Sequence, residues 1–190
     1  MKIQQTIQEA IEWHRRLLER KDLLQIVQQV IDESVEVFRN DGKILFCGNG
    51  GSAADAQHLA AEFSGRFYYD RPPLYAEALH VNTSYLTAVA NDYSYDEVFA
   101  RLVKAKGRKG DMLVALSTSG NSPNIIKALE TANQIGMITV GFTGESGGKM
   151  KEICRFLLNV PGSDTPRIQE LHILIGHIIC EGVESKIFPK

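Results

Sequence analysis

Residues Cys47-Gly-Asn-Gly-Gly-Ser-Ala-Ala-Asp-Ala-Gln-His-Leu-Ala-Ala-Glu-Phe-Ser-Gly-Arg66 decide how this chain is read. They follow Lys43-Ile-Leu-Phe-Cys47, an apolar run that predicts a buried strand, and the Ala-rich segment beyond the glycines has good helix propensity. Strand, glycine turn and helix start together form an anion site, because unpaired N–H groups and the positive end of the helix dipole point out of the turn. The turn holds Asn49, Gly50 and Gly51, and Ser52 is expected to cap the helix and offer its hydroxyl to the anion. His58 and Glu62 stand at i and i+4, so both face the same way one turn apart. An anion cradle and two proton-handling groups thus share one element.

Working outward, Asp111–Leu116, Met137–Phe142 and Cys154–Val160 predict further buried strands, and Ala76–Val81 a short one. Helical spacing runs through Thr83–Ala90, with the polar pair Asn91-Asp92 at its end, and through Tyr95–Lys106. The segment to Ile135 is also helical, as is about Thr165 to Ser185. Alternating strands and helices imply a parallel sheet covered on both faces, with ligands beyond the carboxyl ends of the strands. A second loop falls there: Ser117-Thr118-Ser119-Gly120-Asn121-Ser122, with Pro123 opening a helix. Its four hydroxyls suit the oxygens of a phosphate monoester, while the bland alternative is a serine-rich turn with a helix cap.

Ahead of the first strand, residues 1–40 read as two amphipathic helices, with Ile3, Ile7, Ala10, Ile11, Leu17 and Leu18 in the first and Leu23 to Phe38 in the second. Their apolar faces either cap the sheet or pack between subunits. Nothing else divides the chain, so residues 1–190 are expected to form one domain. A net charge of -2 argues against a nucleic-acid partner, and the apolar run Ile173–Cys180 is too short and too interrupted to span a membrane. The opening MKIQQTIQEAIEWHRR is polar and unlike a secretory signal. Cys47, Cys154 and Cys180 are odd in number and lack metal-type spacing, which suits reduced thiols and a cytoplasmic location.

Three patterns stay open on the residues alone. Gly48-Asn-Gly-Gly-Ser-Ala53 fits G-x-G-x-x-A, a dinucleotide fingerprint, but the acid that should hold a ribose is poorly supplied by Asp70 or Glu77. His58 and Glu62 could be an ordinary surface pair. In the last helix, Gln169 and His177 lie two turns apart on roughly one face, and His177 interrupts an apolar run where a core histidine bonded to a carbonyl is the simpler reading.

CGNGGS, AxxAQHxAAEFSGRF, ANDYSYDEVF, STSGNSxNIIKAL, FTGESGGKM and RIQELHILIGHIICEGVE together resemble the sedoheptulose 7-phosphate isomerases (phosphoheptose isomerases) of the SIS domain class. The resemblance runs from about Leu23 to Val183, and no likeness attaches to the first 22 residues. It implies a doubly wound, five-stranded parallel α/β sandwich of flavodoxin-like form with N-terminal helices. It also implies a homotetramer with sites between subunits, and conversion of D-sedoheptulose 7-phosphate to D-glycero-D-manno-heptose 7-phosphate for bacterial lipopolysaccharide or other surface glycans. By the same resemblance Glu62 is the general base and His177 its partner acid. Ser52, Ser117, Thr118, Ser119 and Ser122 hold the phosphate and nearby hydroxyls, while Asn49, Asn91 and Asp92 place the sugar. His58, Glu62, Gln169 and His177 match positions that bind zinc in some members, one ion per subunit, with Gln169 alternatively a substrate ligand. A non-catalytic SIS protein that binds the bacterial replication initiator is the rival, and it lacks the groups matching Glu62 and His177.

Overall fold

The computed structural model describes residues 2–190. Two helices, α1 (Lys2–Glu19) and α2 (Lys21–Arg39), precede β1 (Ile44–Gly48), α3 (Gly51–Ser64), β2 (Ala76–Ala78), α4 (Thr83–Asp92) and α5 (Val98–Lys106). Then come β3 (Met112–Leu116), α6 (Pro123–Ile135), β4 (Ile138–Thr143), β5 (Phe156–Asn159) and α7 (Thr165–Ile187). Every strand pair is parallel, and the order is β2-β1-β3-β4-β5. The expected five-stranded doubly wound sheet is therefore present. Strand ends differ from the sequence reading by one to three residues, the most at β2, which stops at Ala78 rather than Val81, and Tyr95–Glu97 forms a 3-10 turn before α5 rather than part of it.

Period-two alternation makes the two cores. Ile44, Phe46, Met112, Val114 and Leu116 point to the face covered by α2, α3 and α7, whereas Leu45, Cys47, Leu113 and Ala115 point to the face covered by α4, α5 and α6. Strands buried on both faces explain why β1 and β3 are apolar at every position. In the register of β1 and β3, Gly48 stands beside Leu116, so the turns that follow lie side by side. That is the switch point of this strand order, where ligands bind in open α/β sheets.

The two N-terminal helices have different fates. On α2, Leu23, Val27, Val30, Ile31, Val35 and Val37 are buried in the main core, so this helix caps the sheet. On α1 only Leu17 is buried; Ile3, Ile7, Ile11 and Leu18 remain 45–72% exposed. Ile7, Ile11 and Leu18 border a cleft of about 630 Å³ between α1 and α7. The cysteines are free thiols, with Cys47 and Cys180 buried, and burial pushes the Cys154 thiol up to about 12.

One core histidine sets a pH limit on stability. His172 of α7 is fully buried; its Nε2–H donates to the Thr143 carbonyl at 3.1 Å, and Nδ1 has no partner. Burial lowers its pKa from 6.5 to about 4, against the smaller opposing effect of that carbonyl. The unfolded chain therefore binds the extra proton between those two values, and stability falls as pH drops through that window. Full protonation corresponds to about 3 kcal/mol at 1.36 kcal/mol per unit. Between pH 7 and pH 5 the thermal midpoint should fall by roughly 5 °C from this group, and His172→Gln should remove that part of the decrease. An equal decrease in the variant would assign it elsewhere.

Candidate functional site

At the end of β1 the chain turns through Gly48-Asn-Gly50 and enters α3 at Gly51. Gly50, at φ +57°, is the residue that flanks the helix, and no side chain caps it. Ser52 is not the N-cap: it lies inside the first turn and is buried. The helix begins two residues earlier than expected because the glycine, rather than the serine, makes the sharp change of direction. Gly51 is also a point of close approach, since a Cβ there would stand 2.5 Å from the Gln169 amide nitrogen. Gln169, near the start of α7, thus sits directly on the glycine turn.

Facing this turn, the β3 loop gathers its hydroxyls. Ser117 Oγ is 3.0 Å from Ser122 Oγ and 3.4 Å from Ser119 Oγ. Ser119 Oγ also accepts from the Asn121 amide at 3.2 Å, and Thr118 faces a neighbouring cleft with Gly144 and Ser163. A residue missed by the sequence reading joins the two loops: Asn124, 2% exposed on α6, exchanges two amide hydrogen bonds with Asn49, each 2.9 Å. Tyr95 Oη donates to the same Asn49 oxygen at 3.3 Å. The Asn49 side chain is therefore engaged in holding the loops in register, and its signal in sequence was only an asparagine just past a helix-opening proline. Asn91 and Asp92 end α4, exposed and bonded to each other at 2.9 Å, three residues before Tyr95.

His58, Glu62 and His177 converge from two helices. His58 Nε2 lies 3.0 Å from Glu62 Oε1, as their spacing on α3 requires, and 3.1 Å from Nε2 of His177 on α7. His177 is therefore not a core histidine; that part is taken by His172 one turn earlier. Phe67 packs against the His177 ring with centroids 5.6 Å apart. His58, Glu62 and His177 form a group whose ligand atoms all lie within 4.8 Å of one another. The 3.0 and 3.1 Å contacts approach the edge of a tetrahedron with metal bonds near 2.0–2.1 Å, about 3.3 Å. Two imidazoles and a carboxylate meeting in this way fit a divalent ion of the zinc type. One turn before His58, Asp55 Oδ2 is buried without a partner, and that burial raises the carboxyl's pKa, partly offset by His58.

The dinucleotide reading loses its remaining support. Glu77 is in the middle of β2 and pairs with Lys106, while Asp70 lies exposed in the loop after α3. A flavodoxin-like sheet carries two hydroxyl- and amide-lined turns at its switch point, with an imidazole–carboxylate cluster on the adjacent helices, which is where an open α/β protein holds a small ligand. Residues 8–144 match the SIS domain family. The chain is 53% identical over 186 residues to a phosphoheptose isomerase of Aneurinibacillus thermoaerophilus, covering 98% of this chain and 94% of that one. It is 51% identical over 180 residues to one of Mycobacterium tuberculosis, covering 95% and 92%. Among solved structures, the phosphoheptose isomerase from Neisseria gonorrhoeae superimposes with a TM-score of 0.91 at 43% identity, over 97% of both chains. This chain belongs to the SIS domain family, among its phosphoheptose isomerases. Because the first of these matches covers 98% of the chain, the likeness extends into the first 22 residues, beyond the Leu23–Val183 span of the motifs.

Proposed function

We propose that this protein isomerises D-sedoheptulose 7-phosphate to D-glycero-D-manno-heptose 7-phosphate, the entry to bacterial heptose synthesis. The observation that carries this reading is the convergence of Glu62 and His177 from separate helices beside two anion-binding turns, in a chain about half identical to phosphoheptose isomerases over nearly its full length. The initiator-binding alternative is not favoured, because the relatives are isomerases and both acid–base groups are present. The phosphate rests on Ser52, Ser117, Thr118, Ser119 and Ser122, which fixes the open-chain sugar, and Asn91, Asp92 and Gln169 orient its hydroxyls. Glu62 accepts the proton from C1; the C1–C2 double bond forms as the C2 carbonyl electrons move to O2, which takes a proton. Glu62 then returns its proton to C2 while O1 gives up its own and the C1 carbonyl forms. His177 carries the proton between O1 and O2. Oε1 is the Glu62 oxygen turned to His58, which leaves the other for carbon. Incubation with sedoheptulose 7-phosphate, followed by NMR, should produce the aldose; no conversion would overturn the reading.

His58, Glu62 and His177, with Gln169, are the residues that would hold one zinc per subunit. The ion, when bound, would supply stabilisation of negative charge on the substrate oxygens. Chelation is expected to lower the rate, and stoichiometric zinc to restore it; an unchanged rate in metal-free protein would leave Glu62 and His177 as the sole catalysts. A cytoplasmic homotetramer with sites between subunits belongs to the same reading; the open apolar stripe Ile3, Ile7, Ile11 and Leu18 supports assembly through α1, whereas the apolar face of α2 is taken up by the protomer's own core. Sedimentation should give four times the chain mass, and deletion of residues 1–22 a smaller species.

A further inference from the structure

Beyond the acid–base cluster, the most completely buried ion pair in the molecule joins the same two helices. The side chain of Arg71, in the loop after α3, is 2% exposed and that of Glu184, on α7, 1%; Arg71 Nε donates to Glu184 Oε1 at 3.0 Å. The rest of the guanidinium is spent on the end of α3. Nη2 donates to the Glu62 carbonyl at 2.8 Å, and Nη1 to the carbonyls of Phe63 and Gly65 at 2.7 and 3.1 Å. These are carbonyls that a helix C-terminus leaves without intrahelical partners, at the negative end of its dipole. Glu184 in turn accepts the backbone amides of Phe67 at 2.9 Å and Tyr68 at 2.8 Å. Burial alone would raise its pKa, but those amides and the Arg71 cation outweigh it and hold the carboxyl below its ordinary value.

The consequence for the site is geometric. One side chain grips the backbone of Glu62 itself. The other stands seven residues, two turns, beyond His177 on α7. Between them the pair fixes Phe67, whose ring lies against His177. We propose that Arg71 and Glu184 are positioning residues, a latch that sets how far α3 stands from α7 and so holds His58 and Glu62 in register with His177. The inference rests on the isomerase reading for the reaction it serves, but the alignment of the imidazoles can be read without any substrate.

The test uses Arg71→Lys, which keeps the charge but cannot span three carbonyls and a carboxylate, and Glu184→Gln, which keeps the size but loses the charge. Two signals are followed: histidine ring resonances in the metal-free full-length protein, and kcat against KM with sedoheptulose 7-phosphate. In both variants the His58 and His177 resonances should shift and kcat should fall about 10- to 100-fold, as for outer residues that orient ligands, with KM within about threefold because the phosphate loops are untouched. Asp111→Asn is the control. It breaks the other buried pair, Lys43–Asp111, at the opposite ends of the strands, and should lower the melting temperature while leaving resonances and kcat unchanged. If Glu184→Gln does not fold, Tyr69→Phe takes its place, since it removes only the hydroxyl that reaches the Glu184 and Phe188 carbonyls at 3.3 and 2.6 Å and should move the same resonances less. Folded latch variants that melt early but keep wild-type ring resonances and kcat would overturn the proposal. Loss of activity in the wild type would count against the isomerase reading alone, because the resonances would still report the latch.

Discussion

Glu62→Gln protein will still take up sedoheptulose 7-phosphate, yet its turnover should fall by at least about 1,000-fold, within the range a positioned base contributes. The substitution keeps the length of the side chain and an oxygen toward His58, so the 3.0 Å contact on α3 has a replacement and the fold should not change. What disappears is the only carboxylate in the cluster of His58, Glu62 and His177. An amide cannot accept a proton from carbon at neutral pH, so exchange of solvent deuterium into C1 and C2 should vanish together with isomerisation. Binding, by contrast, is assigned in the proposed function to the hydroxyls of the β3 loop and the glycine turn, which lie on other parts of the sheet edge. Phosphate-site affinity is expected to stay within about threefold, since that interaction is made equally in ground and transition states. Deuterium exchange at the normal rate in the variant would remove Glu62 from its assigned role.

The parts of this site differ in how much of them the sequence carries. His58 and Glu62 are visible because helical spacing alone brings i and i+4 together, and their 3.0 Å contact follows from that local rule. The two turns after β1 and β3 are legible because glycines and hydroxyls directly after apolar strands are local signals as well. His177 required the family resemblance, since nothing in periodicity distinguishes it from His172, the neighbour that is buried. The Asn49–Asn124 exchange and the Arg71–Glu184 latch span 75 and 113 residues, and only the sheet order brings such partners together. Helix α2 stays open on the sequence for a related reason. Its apolar face suits either the sheet or another subunit, and it is the packing of β5 and α7 against it that takes it into the core. Amphipathicity tells that a face is covered, not by what.

Gly120→Ala should raise KM for the sugar phosphate about 100-fold and lower the melting temperature by roughly 10 °C. Gly120 adopts φ +65° in the middle of the β3 loop, and a Cβ there would stand 2.2 Å from the Gly147 carbonyl oxygen. The two loops are locked backbone to backbone. Met150 N donates to Gly120 O at 3.1 Å, Gly144 N to Thr118 O at 2.9 Å, and Lys149 N to Asn121 Oδ1 at 3.0 Å. Neither carbonyl nor loop can rotate away as a flexible side chain could, so the added methyl must push the Ser117–Ser122 loop off the β4 loop. Overpacking of this kind costs typically 1–3 kcal/mol, and the left-handed backbone adds about 1 kcal/mol more for a residue with a Cβ. The hydroxyl cluster around Ser117, held at 3.0 and 3.4 Å, would open with it, which is why binding rather than chemistry should suffer most. Gly110 separates the two costs. It is also left-handed, at φ +89°, but a Cβ there meets nothing within 4 Å, and it lies before β3 at the far end of the strand. Gly110→Ala should therefore lose only about 1 kcal/mol of stability and keep its KM. If the two variants melt alike and bind substrate alike, backbone strain alone explains the loss at Gly120, and the phosphate cradle does not depend on the clamp between the β3 and β4 loops.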